Sequence, residues 1–271
     1  MSEGTVTSAD GTTIAYTTWG DGDPVVLIDG ATAYRATTPE NAETAELLED
    51  EFQVINYDRR GRGESGDTAP FAVEREFEDL AAIIEQVGGG RPATVYGWSS
   101  GGSLALNAVQ AGLAVARLVL WEPNVIADDG HPPLPSDYVE RLDAAVADGR
   151  PGDAVALFMT AAAGMPEEAV AEMREADFWP GLEAIAPTIA YDGRHVGDTM
   201  SGRPLRADLW NKVRVPVLVL YGRDTWPHLA VGAKVLSEHL PTATLKAVPG
   251  ENHGTTADVL APVLREFIRG A

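Results

Sequence analysis

Ala93-Thr94-Val95-Tyr96-Gly97-Trp98-Ser99-Ser100-Gly101 runs from strand-like sequence straight into the helical run of residues 102–111, with no linker between them. A strand that ends in G-x-S-x-G and turns at once into a helix is a nucleophile elbow. The tight turn strains the backbone at Ser99 and pushes its Oγ out at the carboxyl end of a sheet. Gly97 and Gly101 flank the serine because a Cβ at either place would collide across the turn. One short segment therefore nominates a nucleophile, an α/β fold and a class of reaction.

The sequence on either side agrees. Residues 5–9 and 12–19 alternate in the manner of strands, with Asp10-Gly11 as the hairpin turn between them. Val25-Val26-Leu27-Ile28 is apolar on both faces, as a buried parallel strand should be. Helices are predicted over 39–49 and 73–86, and strands over 52–57 and 117–121. The alternation then stops. Residues 123–205 offer only helical segments, near 136–148, 151–162, 166–176 and 181–190, separated by Pro and Gly. A strand at 216–221, a helix at 228–239, a strand at 243–248 and a helix at 257–268 resume the pattern. The reading is a mostly parallel sheet with helices on both faces, built from residues 1–122 and 206–271, with a helical cap of residues 123–205 inserted after the sixth strand.

Composition sets limits. The 271 residues suffice for one large domain with a substantial core, and 45% hydrophobic with 23% charged residues is the profile of a soluble globular protein. No stretch approaches the roughly 20 apolar residues of a membrane span, and Met1-Ser2-Glu3-Gly4 has no signal-peptide character. A cytoplasmic location is expected. The net charge of −21 repels phosphate backbones, so nucleic acid is not an expected partner. The chain has no Cys, which removes disulfides and thiolate chemistry. No two histidines have metal-ligand spacing, so neither metal nor cofactor is expected.

A serine hydroxyl needs a base. Of the five histidines, only His253 lies in a loop directly after the last strand, at the carboxyl edge where Ser99 emerges. It also keeps the chain order serine, acid, histidine. The acid that should orient it has two candidates. Asp224 follows the strand ending at Tyr221, although its loop is one residue short, and Glu122 follows the strand ending at Trp121. The spacing leaves both open. The oxyanion of acyl transfer needs two aimed N–H donors. Ser100 at the start of the elbow helix is one, and Gly30 or Ala31, in the loop after the strand at 25–28, is the other. Trp98, Tyr34, Trp179 and Trp226 are the expected lining of an apolar aromatic substrate site between cap and core. Asp58-Arg59-Arg60-Gly61-Arg62-Gly63-Glu64-Ser65-Gly66 lacks the order of a phosphate loop and is read as a structural turn with buried arginine–carboxylate pairs.

With these pieces the chain resembles the α/β-hydrolase superfamily over nearly its full length. The Asp58–Gly66 segment is similar to that superfamily's turn after the fourth strand, and Leu264-Arg265-Glu266-Phe267-Ile268 to its closing helix. Val25-Val26-Leu27-Ile28-Asp29-Gly30, Val95–Gly101 and Glu122-Pro123 are similar to stretches of zearalenone-type lactonases. That narrower resemblance implies a triad acid after the sixth strand, which favours Glu122 over Asp224. The usual His-Gly pair of the oxyanion loop is Asp29-Gly30 here, so its supporting hydrogen bonds must differ. The expected activity is hydrolysis of a neutral, apolar carboxylic ester or lactone through an acyl-enzyme on Ser99. C–C bond hydrolysis, acyl transfer, or ligand binding with a nearly silent triad are the alternatives. The sequence names neither the substrate nor the oligomeric state.

Overall fold

The computed structural model describes residues 1–270. β1 (Ser2–Thr7) and β2 (Thr13–Trp19) form the expected antiparallel hairpin, Thr7 facing Thr13 across the turn that contains Gly11. β3 (Asp23–Ile28), α1 (Pro39–Leu48), β4 (Phe52–Tyr57), α2 (Val73–Gln86), β5 (Thr94–Trp98), α3 (Ser100–Ala111) and β6 (Arg117–Trp121) follow. Five helices come next: α4 (Tyr138–Ala147), α5 (Pro151–Leu157), α6 (Glu167–Met173), α7 (Trp179–Ala184) and α8 (Ile189–Val196). β7 (Val217–Asp224), α9 (Pro227–His239), β8 (Ala243–Glu251) and α10 (Ala257–Arg269) complete the chain. No helix among the described residues is long and apolar enough to cross a membrane.

The eight strands make one sheet in the order β1-β2-β4-β3-β5-β6-β7-β8. Only β1–β2 and β2–β4 pair antiparallel, and every other pair is parallel. Two cores follow from this layering. On one face Leu80, Ile83 and Ile84 of α2, Leu104 and Ala108 of α3, and Ala233 and Leu236 of α9 pack on Val26, Ile28, Val95 and Leu118. On the other, Ala45 and Leu48 of α1 and Leu260, Ala261 and Leu264 of α10 pack on Val25, Leu27, Val54 and Val119. Leu260, Ala261 and Leu264 recur at the spacing that keeps one helical face to the sheet. Covered on both sides, residues 25–28 are fully buried.

The insertion has its own core, in which Tyr138, Leu142, Val155, Trp179, Ile189 and Val196 pack together. Its helices are shorter than the sequence predicted. The segment read as one helix over 151–162 is α5 followed by a π-helical turn, Phe158–Ala162. The helix read over 181–190 is broken into α7, a 3-10 turn at Ala186–Thr188, and α8. Pro187 accounts for the second break, since it has no N–H to give to a preceding carbonyl. β7 and β8 run further than predicted, as far as Asp224 and Glu251, which pair across a bulge near Gly222.

Candidate active site

β5 delivers Ser99 to the carboxyl edge of the sheet, where it caps the N-terminus of α3 with φ 55° and ψ −121°. A side chain in that region costs roughly 1–3 kcal/mol, so packing must hold it. A Cβ on Gly97 would lie 2.5 Å from Gly102 Cα, and one on Gly101 would lie 2.6 Å from Ile28 O, which is the crowding that the two flanking glycines relieve. Ser99 N–H is anchored on Trp121 O at 2.9 Å. The Ser99 hydroxyl donates to Asn124 Oδ1 at 3.2 Å, and not to a histidine.

His253 comes to the same edge from the loop after β8. Its Nδ1 lies 2.6 Å from Glu122 Oε2, and Glu122 Oε1 accepts the Gly222 N–H at 2.8 Å. Glu122 is 0% exposed. A buried carboxylate with both oxygens engaged fixes Nδ1 as the protonated nitrogen and leaves Nε2 free to act as a base. Asp224 does not share this position. Its backbone is drawn into the β7–β8 ladder opposite Glu251, and its side chain is exposed. Glu122 and His253 both hold left-handed backbone conformations, φ 42° and 68°, as does Ser99. The His253 carbonyl receives two indole N–H groups, Trp98 Nε1 at 3.0 Å and Trp121 Nε1 at 3.1 Å.

The loop after β3 passes close to the elbow. A Cβ on Gly30 would sit 3.1 Å from Ser99 Cβ and 3.2 Å from Trp98 O, a tight fit that glycine avoids. Gly30, Ala31 and Ser100 all line the cavity over Ser99. Asp29, standing where a histidine is usual, is buried and bound by Asn41 Nδ2 (2.7 Å) and Asn56 Nδ2 (3.3 Å). Burial pushes its carboxyl up to about 6, against hydrogen bonds from Thr38 and Asn56 that pull it down.

The cavity has a volume of about 220 Å³. Trp98 and Trp226 line it, as do Phe158 and Ala162 of the π-helical turn, Met200 and Leu229. Trp226 stacks on His253 with centroids 6.2 Å apart and 20° between planes. Two of the expected aromatic residues lie elsewhere. Trp179 is 4% exposed inside the cap core, with its indole N–H on Glu183 Oε1 at 3.1 Å. Tyr34 precedes the 3-10 turn Arg35–Thr37 and is not part of the cavity wall. Polar groups the sequence did not single out complete the wall: Asn124, Asp192 and His228. Burial, and then the nearby His131 and His253, hold the His228 imidazole below its ordinary range. Asn124 could have been suspected from its place two residues after Glu122. Asp192 and His228 carry no local signal.

The arginine-rich turn is a buried ion-pair network, as its sequence suggested. Arg59 binds Glu76 and Asp192, Arg60 binds Asp79 and Asp10, and Arg62 binds Asp192. Among the described residues no three His, Asp or Glu side chains converge as a metal site would require.

A model of the alpha/beta hydrolase family matches residues 20–263. A crystal structure of an alpha/beta hydrolase from Sphaerobacter thermophilus is 46% identical and superimposes with a TM-score of 0.84, covering 98% of this chain and 100% of that one. A non-heme chloroperoxidase of Streptomyces lividans is 31% identical over 98% of this chain and 99% of its own length. A bifunctional esterase/perhydrolase of Acinetobacter calcoaceticus is 25% identical over 98% and 99%. The Streptomyces relative carries a chloroperoxidase name and the Acinetobacter relative an esterase/perhydrolase name, while the Sphaerobacter structure is named only by its family. The likeness to zearalenone-type lactonases rests on the short sequence stretches alone.

Proposed function

The chain belongs to the alpha/beta hydrolase family, and from its site we propose that it is a serine hydrolase of small, neutral carboxylic esters or lactones. The carrying observation is the 2.6 Å contact between His253 Nδ1 and the buried Glu122 carboxylate, on the wall of the cavity that also holds Ser99. Rotation of the Ser99 hydroxyl from Asn124 toward His253 gives its proton to Nε2 as Oγ attacks the carbonyl carbon. The oxyanion meets the N–H of Ser100 and that of Gly30 or Ala31. Collapse expels the alkoxide, which takes the proton from His253. Water then gives a proton to His253 and attacks the acyl-enzyme, and the acid leaves as Ser99 Oγ regains its proton.

The cavity supports the substrate class. About 220 Å³ lies below the roughly 300–1,000 Å³ of sites for drug-sized ligands, so a short acyl chain suits it better than a large macrolide ring. Its walls are mainly aromatic and aliphatic, and among the described residues no Lys or Arg lines them to hold an anionic ester. The esterase activity in the name of the Acinetobacter relative points the same way. The test is a panel of short acyl esters and small lactones, with a fluorophosphonate probe for Ser99. Ser99→Ala should lose about 10⁴-fold or more in kcat and all labelling, with circular dichroism unchanged. A variant that keeps a tenth of the activity, or a wild type that turns over none of the panel, would sink the reading.

A further inference from the structure

The elbow and the oxyanion loop come from different parts of the core, yet both are tied to one carboxylate that the cap supplies. Asp192, on α8, is buried. Its Oδ1 accepts from Ser100 Oγ at 2.7 Å and from Arg59 Nη1 at 2.6 Å, and its Oδ2 accepts from Arg62 Nη2. Arg62 Nη1 in turn donates to Gly30 O at 2.7 Å and to Ala33 O at 3.3 Å. Arg59 Nη1 reaches Asp29 O at 3.4 Å. Ser100 begins α3, and Gly30 lies in the facing loop, so the two sources of oxyanion donors are each at most one residue removed from Asp192.

We propose that Asp192 is the positioning residue of the oxyanion site: the docked cap, through Asp192, holds Ser100 and the Asp29–Ala33 loop in register. The catalytic consequence rests on the serine-hydrolase reading; the positioning itself does not. Asp192 lines the cavity, but its oxygens are already engaged by three protein donors, which leaves it poorly placed to recognise substrate. Arg59 and Arg62 hold it ionised against the effect of burial, so it is not a proton carrier. The charges also close locally. Arg59 and Arg62 face Asp192 and Glu76, and Glu76 takes two bonds from Arg59, at 2.7 and 3.0 Å. A fixed, water-poor network of this kind keeps donors aimed at a point without reorganisation during the reaction.

Asp192→Asn keeps the shape and removes the charge that both arginines share. Ser100→Ala is the milder partner: it cuts the elbow from Asp192, keeps the Ser100 backbone N–H and leaves the ion pairs intact. Both are measured for kcat and KM on p-nitrophenyl acetate, for inhibition by a trifluoromethyl ketone, and for hydrogen exchange in peptides covering residues 29–34. In Asp192→Asn, kcat should fall about 10- to 100-fold with KM within threefold. Affinity for the ketone, whose adduct carries an oxyanion, should fall in parallel, and exchange at 29–34 should rise at least tenfold. Ser100→Ala should lower kcat and ketone affinity together by about three- to tenfold, with exchange at 29–34 unchanged. Unchanged kcat and ketone affinity, or a rise in KM alone, would overturn the proposal. If Asp192→Asn does not fold, Ser100→Ala decides on the same criteria. A wild type inert to fluorophosphonate removes the hydrolase reading, and exchange at 29–34 in Asp192→Asn still decides whether Asp192 holds the loop.

Discussion

At the scale of single residues, the site is built from strained positions that are then tied down. Ser99, Glu122 and His253 all occupy left-handed backbone conformations. Each is fixed by hydrogen bonds that a solvated residue would not need: Ser99 N–H on Trp121 O, Glu122 Oε1 on Gly222 N–H, and the His253 carbonyl between two indoles. The two candidate acids should therefore respond very differently to loss of charge. In Glu122→Gln the amide has one acceptor for two donors. If its oxygen keeps Gly222 N–H, its NH₂ faces His253 Nδ1 and stabilises the tautomer that cannot accept the serine proton. The expected loss is up to about 10⁴-fold in kcat. Asp224→Asn changes an exposed carboxylate and should cost less than about tenfold. Steady-state kinetics of both variants on one activated ester checks this, and a dead Asp224→Asn beside a near-normal Glu122→Gln would reverse the assignment.

At the scale of elements, legibility followed locality. β3 was readable because four consecutive apolar residues need burial on both faces, and the elbow because Gly97 answers to a collision with Gly101 and Gly102 within the turn, whereas Gly101 clears Ile28 O of the neighbouring strand. The cap was readable as helical, but its breaks were not. The π-helical turn at Phe158–Ala162 and the 3-10 turn at Ala186–Thr188 are set by how the insertion packs, and they bring Phe158, Ala162 and Ala163 to the cavity. The contact that favours Glu122 over Asp224, between His253 Nδ1 and Glu122 Oε2, joins residues 131 apart in the chain, so no local pattern could carry it. Two of the three tryptophans assigned from sequence to one substrate site illustrate the same limit. Trp226 sits at the N-terminus of α9, 40% exposed and stacked on His253, whereas Trp179 begins α7 within the cap core. Trp226→Ala should lower kcat/KM by about five- to twentyfold, the effect of losing one stacking contact of one to two kcal/mol, with little change in Tm. Trp179→Ala should instead cost about 3–5 kcal/mol of stability. Its folded fraction should keep kcat/KM within threefold of wild type. Equal Tm for the two variants would contradict this division between site and core.

At the scale of the whole molecule, the dominant fact is charge. Asp and Glu number 41 against 20 Lys and Arg, a net of −21. The imbalance at the surface is not relieved by Arg59, Arg60 and Arg62, which are buried and engaged with Asp192, Glu76, Asp79 and Asp10. Two electrostatic effects therefore compete when salt is added. Exposed pairs such as Arg150–Asp153 and Lys246–Glu266 weaken, but solvent already screens them and each contributes little. Repulsion among the surplus carboxylates weakens as well, and it sums over many pairs as the Debye length contracts from about 30 Å at 0.01 M to about 10 Å at 0.1 M. The buried network around Asp192 lies out of reach of mobile ions and should change little. Repulsion should win, so the protein should gain stability with salt. Between 0.01 M and 0.5 M NaCl, Tm should rise by about 3–6 °C, equivalent to one to two kcal/mol for a chain of this size. Thermal unfolding followed by circular dichroism at constant pH measures it. A Tm that falls over this range would mean that the surface ion pairs outweigh the excess negative charge.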